Sequence, residues 1–103
     1  MPAVHLDQKN FERLVLEEKH TALVDFWSPR CGPCRMLAPV IDAIAEEVPQ
    51  NTLVAKVDTD QEPDLAARYG IMAIPTIIAF QNGQELRRTV GLTSKEALLE
   101  LLK

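Results

Sequence analysis

The chain contains two cysteines, Cys31 and Cys34, in the stretch CGPC, and they are the only thiols among its 103 residues. Cysteines at this spacing can form a structural disulfide, supply half of a zinc site, lie buried without a role, or act as a redox pair. A structural disulfide is disfavoured because so small a ring constrains little of the unfolded chain. The two histidines, His5 and His20, are not at a recognisable zinc-ligand spacing. We therefore predict no metal site and favour the redox pair.

The residues around the pair favour thiol chemistry. The pattern places Cys31 at a strand-to-helix junction, where backbone N–H groups and the helix dipole stabilise a thiolate. Arg30 and Arg35 would add positive charge if their side chains turned toward the sulfur, but they could equally point into water. Cys34 lies within one helical turn, so it could resolve a mixed disulfide that Cys31 forms with a substrate. The Gly-Pro pair between the cysteines allows close backbone approach and suits the first turn of a helix.

The elements that must position the pair indicate an α/β fold. Nearly continuous apolar runs, TALVDFW and TLVAKV, are typical of strands buried on both faces. Helical spacing of apolar residues predicts a helix capped by Asp7 and another from about Cys31 to Val48. EPDLAARYG predicts a third, short helix. This β-α-β-α-β-α order favours parallel strands joined by helical crossovers.

The last third of the chain changes character. Two strand-like runs, TIIAF and ELRRTV, flank QNGQ, and an Asn-Gly pair in that position predicts an antiparallel hairpin. The final segment, TSKEALLELLK, predicts a helix with Thr93 and Glu96 in capping-box spacing. A mixed sheet with helices on both faces follows.

Composition limits the possible partners and cofactors. The chain is 47% hydrophobic and 25% charged, with a net charge of −4. Nucleic-acid and anionic-membrane binding depend on clustered basic residues, so we expect neither. No apolar run approaches the roughly 20 residues that span a bilayer, and no secretory pattern opens the chain, so we expect a cytoplasmic protein. No glycine-rich phosphate loop indicates a nicotinamide or flavin site.

Several separated motifs together resemble the thioredoxin family: DFW, then CGPC, then KVDTDQEPDLAARYGIMAIPTIIAFQNG. The resemblance runs from His5 to the C-terminal helix. It implies a thioredoxin fold in one domain, residues 1–103, with a mixed sheet of about five strands flanked by four helices. It also implies a dithiol–disulfide oxidoreductase that reduces disulfides in client proteins, with Cys31 as exposed nucleophile and Cys34 as buried resolving thiol. A monomer without bound cofactor, regenerated by a thioredoxin reductase, is implied as well.

The resemblance assigns further roles. It makes Asp25 a buried carboxylate beneath the cysteines, with Lys56 as its charge partner. Even without the family, an acid inside an apolar strand should have a raised pKa and could exchange protons with Cys34 near neutral pH. Pro75 is expected to be cis, leaving the backbone before it free to pair with an extended client. The implied client surface around the nucleophile comprises Trp27, Arg30, Gly32, Pro33, Ala73, Ile74, Pro75 and Gly91.

One departure from the family pattern is clear. The family commonly has tryptophan before the first cysteine, where this chain has Arg30, so we expect a preference for acidic targets and a lowered Cys31 pKa. Oxidases and isomerases of this fold carry histidine between the cysteines, whereas Pro33 here favours a reductant. A docking or assembly role independent of redox state is the other alternative. A Cys31→Ser, Cys34→Ser double variant would separate the two, because only assembly could survive it.

Overall fold

The computed structural model describes residues 3–103 and contains a single five-stranded sheet within them. In chain order the elements are β1 (Val4–His5), α1 (Gln8–Phe11), which continues as a π-helical segment (Glu12–Glu17), β2 (Thr21–Trp27), α2 (Gly32–Glu47), β3 (Thr52–Asp58), α3 (Pro63–Arg68), β4 (Thr76–Gln81), β5 (Gln84–Val90) and α4 (Lys95–Glu100). The strand order is β1-β3-β2-β4-β5. β1, β3 and β2 are parallel, while β4 and β5 run antiparallel to their neighbours. The predicted mixed sheet with four helices is confirmed.

Apolar clusters cover both faces of the sheet. One cluster joins the sheet to α1, the π-helical segment and α3, and includes Phe11, Val15, Val24, Phe26, Leu65 and Phe80. The other lies under α2 and α4 and includes Leu23, Leu37, Ile41, Ile44, Ile77 and Leu98. Successive strand side chains point to opposite faces. Asp25, which stands between Val24 and Phe26 in β2, therefore points to the face covered by α2.

The hairpin between β4 and β5 forms at the predicted Asn-Gly pair. Asn82 and Gly83 both have positive φ, 56° and 79°. Two such residues in succession make the type I′ turn, whose twist matches that of the flanking strands. The turn places β5 at the edge of the sheet beside β4.

The first helix begins as predicted, but the last helix is capped differently. Asp7 caps α1 by accepting the Asn10 N–H at 2.9 Å. The prediction that Thr93 caps the final helix is wrong, because the Ser94 hydroxyl accepts the Ala97 N–H at 3.1 Å. The extended backbone of Ser94 (φ −83°, ψ 158°) aims its oxygen at the first turn. The helix therefore starts one residue later than the capping-box spacing indicated.

Candidate active site

The two cysteines lie at the junction between β2 and α2. Cys31 is the N-cap residue of α2, and its Sγ accepts the Cys34 N–H at 3.2 Å. The two residues form a disulfide with their Cα atoms 5.2 Å apart. Cys31 is half-buried, whereas Cys34 is fully buried. A partner molecule can therefore reach only the first sulfur directly.

Gly32 and Pro33 occupy the first turn of α2, between the cysteines. Proline is well suited there because its missing N–H would have no partner within the helix. Pro33 is exposed, and a Cβ added to Gly32 would meet no atom within 4 Å. The backbone beside Cys31 is thus open to an approaching chain.

The segment that leads into β4 also lies against the disulfide. The Ile74–Pro75 peptide bond is cis, as the resemblance implied. The Ile74 carbonyl oxygen lies 3.8 Å from Cys31 Sγ. The Gly91 N–H donates to the Pro75 carbonyl at 2.8 Å, and the Thr76 hydroxyl donates to the Ala73 carbonyl at 2.6 Å. These bonds hold Gly91 against Pro75 and Ala73 against Thr76, so Ala73, Pro75 and Gly91 lie together next to the segment that contacts Cys31.

Asp25 is a buried carboxylate without a hydrogen-bond partner. Its side chain faces α2, it is 1% exposed, and neither of its oxygens has a partner within residues 3–103. Burial raises the pKa of Asp25 to about 7, while the positive charge of Lys56 opposes that rise. Such a carboxyl group can gain or lose a proton near neutral pH.

Lys56 acts on Asp25 through charge rather than through a hydrogen bond. The two residues are paired in the β2–β3 register, so their side chains share one face of the sheet. Lys56 is buried, and its Nζ lies 4.1 Å from the centroid of the Trp27 ring. The His5 ring stands 6.0 Å from the same indole. Trp27 is therefore half-buried and packs against these two side chains.

Arg30 does not turn toward the sulfur. Its Nη2 and Nε donate to the two carboxylate oxygens of Asp60, at 2.9 and 3.3 Å. Asp60 also accepts the Ser28 hydroxyl at 2.6 Å. Because the Asp60 carboxylate pairs with this guanidinium, Arg30 presents less net positive charge to Cys31 than an unpaired arginine would. The lowered Cys31 pKa and the preference for acidic targets remain predictions. Arg35 donates instead to the Pro29 carbonyl at 3.1 Å.

Sequence reasoning missed several residues around the site. Neither Met36 nor Met72 was assigned a role from the sequence, yet Met36 is 66% exposed and Met72 is 96% exposed. The helical spacing of α2 could have indicated that Met36 is exposed, because the next residue, Leu37, belongs to the buried apolar stripe. Ser28 and Asp60 had no such signal, since they are 32 residues apart in the chain.

No group of three or more His, Cys, Asp or Glu side chains within residues 3–103 is arranged to hold a metal ion. No helix in this part of the chain is both long enough and apolar enough to cross a membrane.

A disulfide at the N-terminus of a helix, with a cis-proline segment beside it and a buried acid on a strand that faces that helix, is the arrangement of a dithiol–disulfide oxidoreductase. The family model named Thioredoxin matches residues 2–103. Thioredoxin 1 from Synechococcus elongatus is 44% identical over 100 residues, covering 97% of this chain and 94% of that protein. Thioredoxin M5, chloroplastic, from Oryza sativa subsp. japonica is 43% identical over 96 residues, covering 93% of this chain but 56% of that protein.

A solved structure agrees with these relatives. A mutant thioredoxin from Halobacterium salinarum NRC-1 superposes with a TM-score of 0.88 at 32% identity, covering 98% of this chain and 88% of that chain. The chain belongs to the thioredoxin family. It is a protein-disulfide oxidoreductase that reduces target disulfides by reversible exchange at Cys31 and Cys34.

Proposed function

We propose that Cys31 is the attacking thiol of this exchange and Cys34 the resolving thiol. The observation that carries this assignment is the difference in burial, because Cys31 is half-buried and Cys34 is 0% exposed. The Cys31 thiolate would attack one sulfur of a client disulfide, forming a mixed disulfide and releasing a client thiolate. The Cys34 thiolate would then attack Cys31 Sγ and release the second client thiolate. Two electrons pass to the client, and the Cys31–Cys34 disulfide remains.

We propose that Asp25 exchanges the proton of Cys34 and that Lys56 tunes Asp25. A buried thiol becomes a nucleophile only if its proton has somewhere to go. Asp25 faces the helix that carries Cys34, and its pKa of about 7 allows it to accept and return a proton at neutral pH. Lys56 restrains that pKa, because its positive charge favours the ionised carboxylate.

We propose that clients bind beside Cys31 as an extended segment. The Ile74 carbonyl oxygen is 3.8 Å from Cys31 Sγ, so a backbone paired with this segment would bring its disulfide to the sulfur. The surface assigned to clients consists of Trp27, Arg30, Gly32, Pro33, Ala73, Ile74, Pro75 and Gly91.

The wider setting is also our proposal. We propose that residues 1–103 work as one domain and as a cytoplasmic, monomeric electron carrier without a bound cofactor. A thioredoxin reductase would return the pair to the dithiol form, and various disulfide-containing proteins would be its clients. A cytoplasmic setting suits a reductant, because the thiol–disulfide buffer of the cytoplasm is reducing. One relative is named as chloroplastic, so cell fractionation is the test of the compartment.

The experiment that tests the thiol roles compares two single variants. Cys34→Ser should accumulate mixed disulfides with clients through Cys31, whereas Cys31→Ser should accumulate few. Trapping through Cys34 instead would refute the assignment. The equilibrium potential of the parent tests the direction of electron flow: about −270 mV is typical of thioredoxins, and about −120 to −180 mV would indicate an oxidant or isomerase.

A further inference from the structure

Ser28, Arg30 and Asp60 form a connected group, here called the Arg30 clamp, next to the nucleophile. Asp60 accepts both Arg30 Nη2 and Nε, and it accepts the Ser28 hydroxyl at 2.6 Å. Ser28 is 3% exposed, and its Oγ also accepts the Arg30 backbone N–H at 3.2 Å. The Cys31 N–H donates to the Ser28 carbonyl at 3.1 Å. Asp60 thus binds the Ser28 side chain, and the backbone of Ser28 binds the backbone N–H of Cys31. The Asp60 carboxylate is in this way connected to the segment that precedes Cys31.

The Arg30 clamp is electrically neutral although it borders a thiol. Mutual hydrogen bonding lowers the pKa of Asp60 and raises that of Arg30, so both groups stay ionised across the neutral range. A cation beside a cysteine ordinarily stabilises its thiolate. The paired carboxylate cancels most of that effect for Arg30.

The other charged groups around Cys31 are engaged elsewhere. Arg35, on α2, donates to the Pro29 carbonyl, and Lys56, on β3, lies over the Trp27 ring. Asp25 lies buried on β2, and Asp58, at the end of β3, accepts the Asp60 N–H at 2.9 Å. Arg30 is the cation adjacent in sequence to Cys31. Within residues 3–103 Asp60 is the carboxylate that hydrogen-bonds to it, while Asp58 acts on it by charge alone.

We propose that Asp60 is a positioning residue for Cys31: it holds the Arg30 guanidinium in a neutral pair and, through Ser28, fixes the backbone that presents the sulfur. This inference rests on the proposed role of Cys31 as the attacking thiol. Loss of the Asp60 carboxylate frees a guanidinium one residue from that thiol. Loss of Arg30 leaves the Asp60 carboxylate without its guanidinium partner in the same place. The two losses therefore shift the Cys31 thiol–thiolate equilibrium in opposite directions.

The test is a titration of Cys31 in a Cys34→Ser background, followed by thiolate absorbance, for the parent, Asp60→Asn, Arg30→Gln and the double variant. One unit charge at about 6 Å in water changes the thiolate equilibrium about threefold, or about half a pH unit. We expect Asp60→Asn to move the midpoint down by that amount and Arg30→Gln to move it up. The double variant should return close to the parent.

Asp64 provides a matched control for the titration. Asp64→Asn removes an equal charge from an exposed residue of the same acidic stretch and should shift the midpoint by less than either clamp variant. An unchanged or raised midpoint in Asp60→Asn would overturn the proposal, as would a double variant that behaves like Asp60→Asn alone. If Asp60→Asn fails to fold, the upward shift in Arg30→Gln decides the question.

Client trapping distinguishes this inference from the proposed function. The Cys34→Ser parent and its Asp60→Asn variant keep Cys31 and every residue assigned to the client surface, so both should form mixed disulfides with clients through Cys31. Trapping with no opposed titration shifts would reject the Arg30 clamp alone. Absence of trapping at Cys31 in the Cys34→Ser parent would reject the thiol assignment itself, whatever the titration showed.

Discussion

Replacing Asp25 with asparagine should stabilise the oxidised protein above neutral pH and remove most of the pH dependence of its stability. Asp25 is 1% exposed, and both of its oxygens lack hydrogen-bond partners within residues 3–103. An ionised carboxylate in that position is costly, because burial removes its hydration and the positive charge of Lys56 offsets only part of the cost. Asparagine has nearly the same shape but never ionises.

The size of the effect follows from proton linkage. Burial raises the pKa of Asp25 from 3.8 to about 7, so the folded state binds more protons than the unfolded state between those values. The free energy of unfolding therefore falls as pH rises through this window, and the loss is complete above about pH 7. The rise in the Asp25 pKa from 3.8 to about 7 corresponds to about 4 kcal/mol of unfolding free energy in all, of which about 3 kcal/mol is lost between pH 5 and pH 8.5.

Urea denaturation of the oxidised proteins at pH 5, 7 and 8.5 measures this loss without interference from free thiols. The parent should lose about 3 kcal/mol more than Asp25→Asn over that range. Asp64→Asn, at an exposed site, should keep the slope of the parent. Parallel curves for the parent and Asp25→Asn would show that Asp25 titrates alike in the folded and unfolded chain, and the assignment of Asp25 as proton exchanger would lose its support.

Three further predictions concern charge, turn and cap. Lys56→Met should raise the pKa of Asp25 further, because the lysine charge lowers it, and should extend the stability loss to higher pH; urea denaturation that shows no extension would contradict this. Gly83→Ala should cost about 1–2 kcal/mol by urea denaturation, because φ is +79° and the new Cβ would lie 3.2 Å from a backbone oxygen; a loss below about 0.5 kcal/mol would count against it. Ser94→Ala should lower the free energy of unfolding, measured by thermal denaturation, by about 1 kcal/mol and Thr93→Ala by less. The reverse order would restore Thr93 as the cap.

The features that could be predicted from sequence depend on neighbours along the chain. The Asn82–Gly83 turn needs positive φ at two successive residues, and few residue pairs other than Asn-Gly supply it. The burial of Asp25 was predictable because the residues on both sides belong to a continuous apolar run. Local patterns were weaker at the last helix, where Thr93 and Ser94 are both capable caps and the backbone conformation decides between them.

The features that could not be predicted depend on contacts between distant segments. The direction of the Arg30 side chain is set by Asp60, which follows β3 and meets Arg30 only once the β2 and β3 strands are paired in register. Nothing near Arg30 in the chain indicates this carboxylate. The same holds for the position of the Lys56 ammonium over Trp27, which requires the parallel pairing of the same two strands.

The energetics of Asp25 favour a functional reason for its presence. At neutral pH a buried carboxyl group with a pKa of about 7 is about half ionised, and no hydrogen bond within the described residues offsets the cost. A neutral residue of similar shape would fold with a more favourable free energy there. Strongly shifted pKa values of this kind concentrate at sites where a proton must be transferred. Asp25 faces the helix that carries the fully buried Cys34, so its energetics support the proposed role of Asp25 as proton exchanger for this thiol.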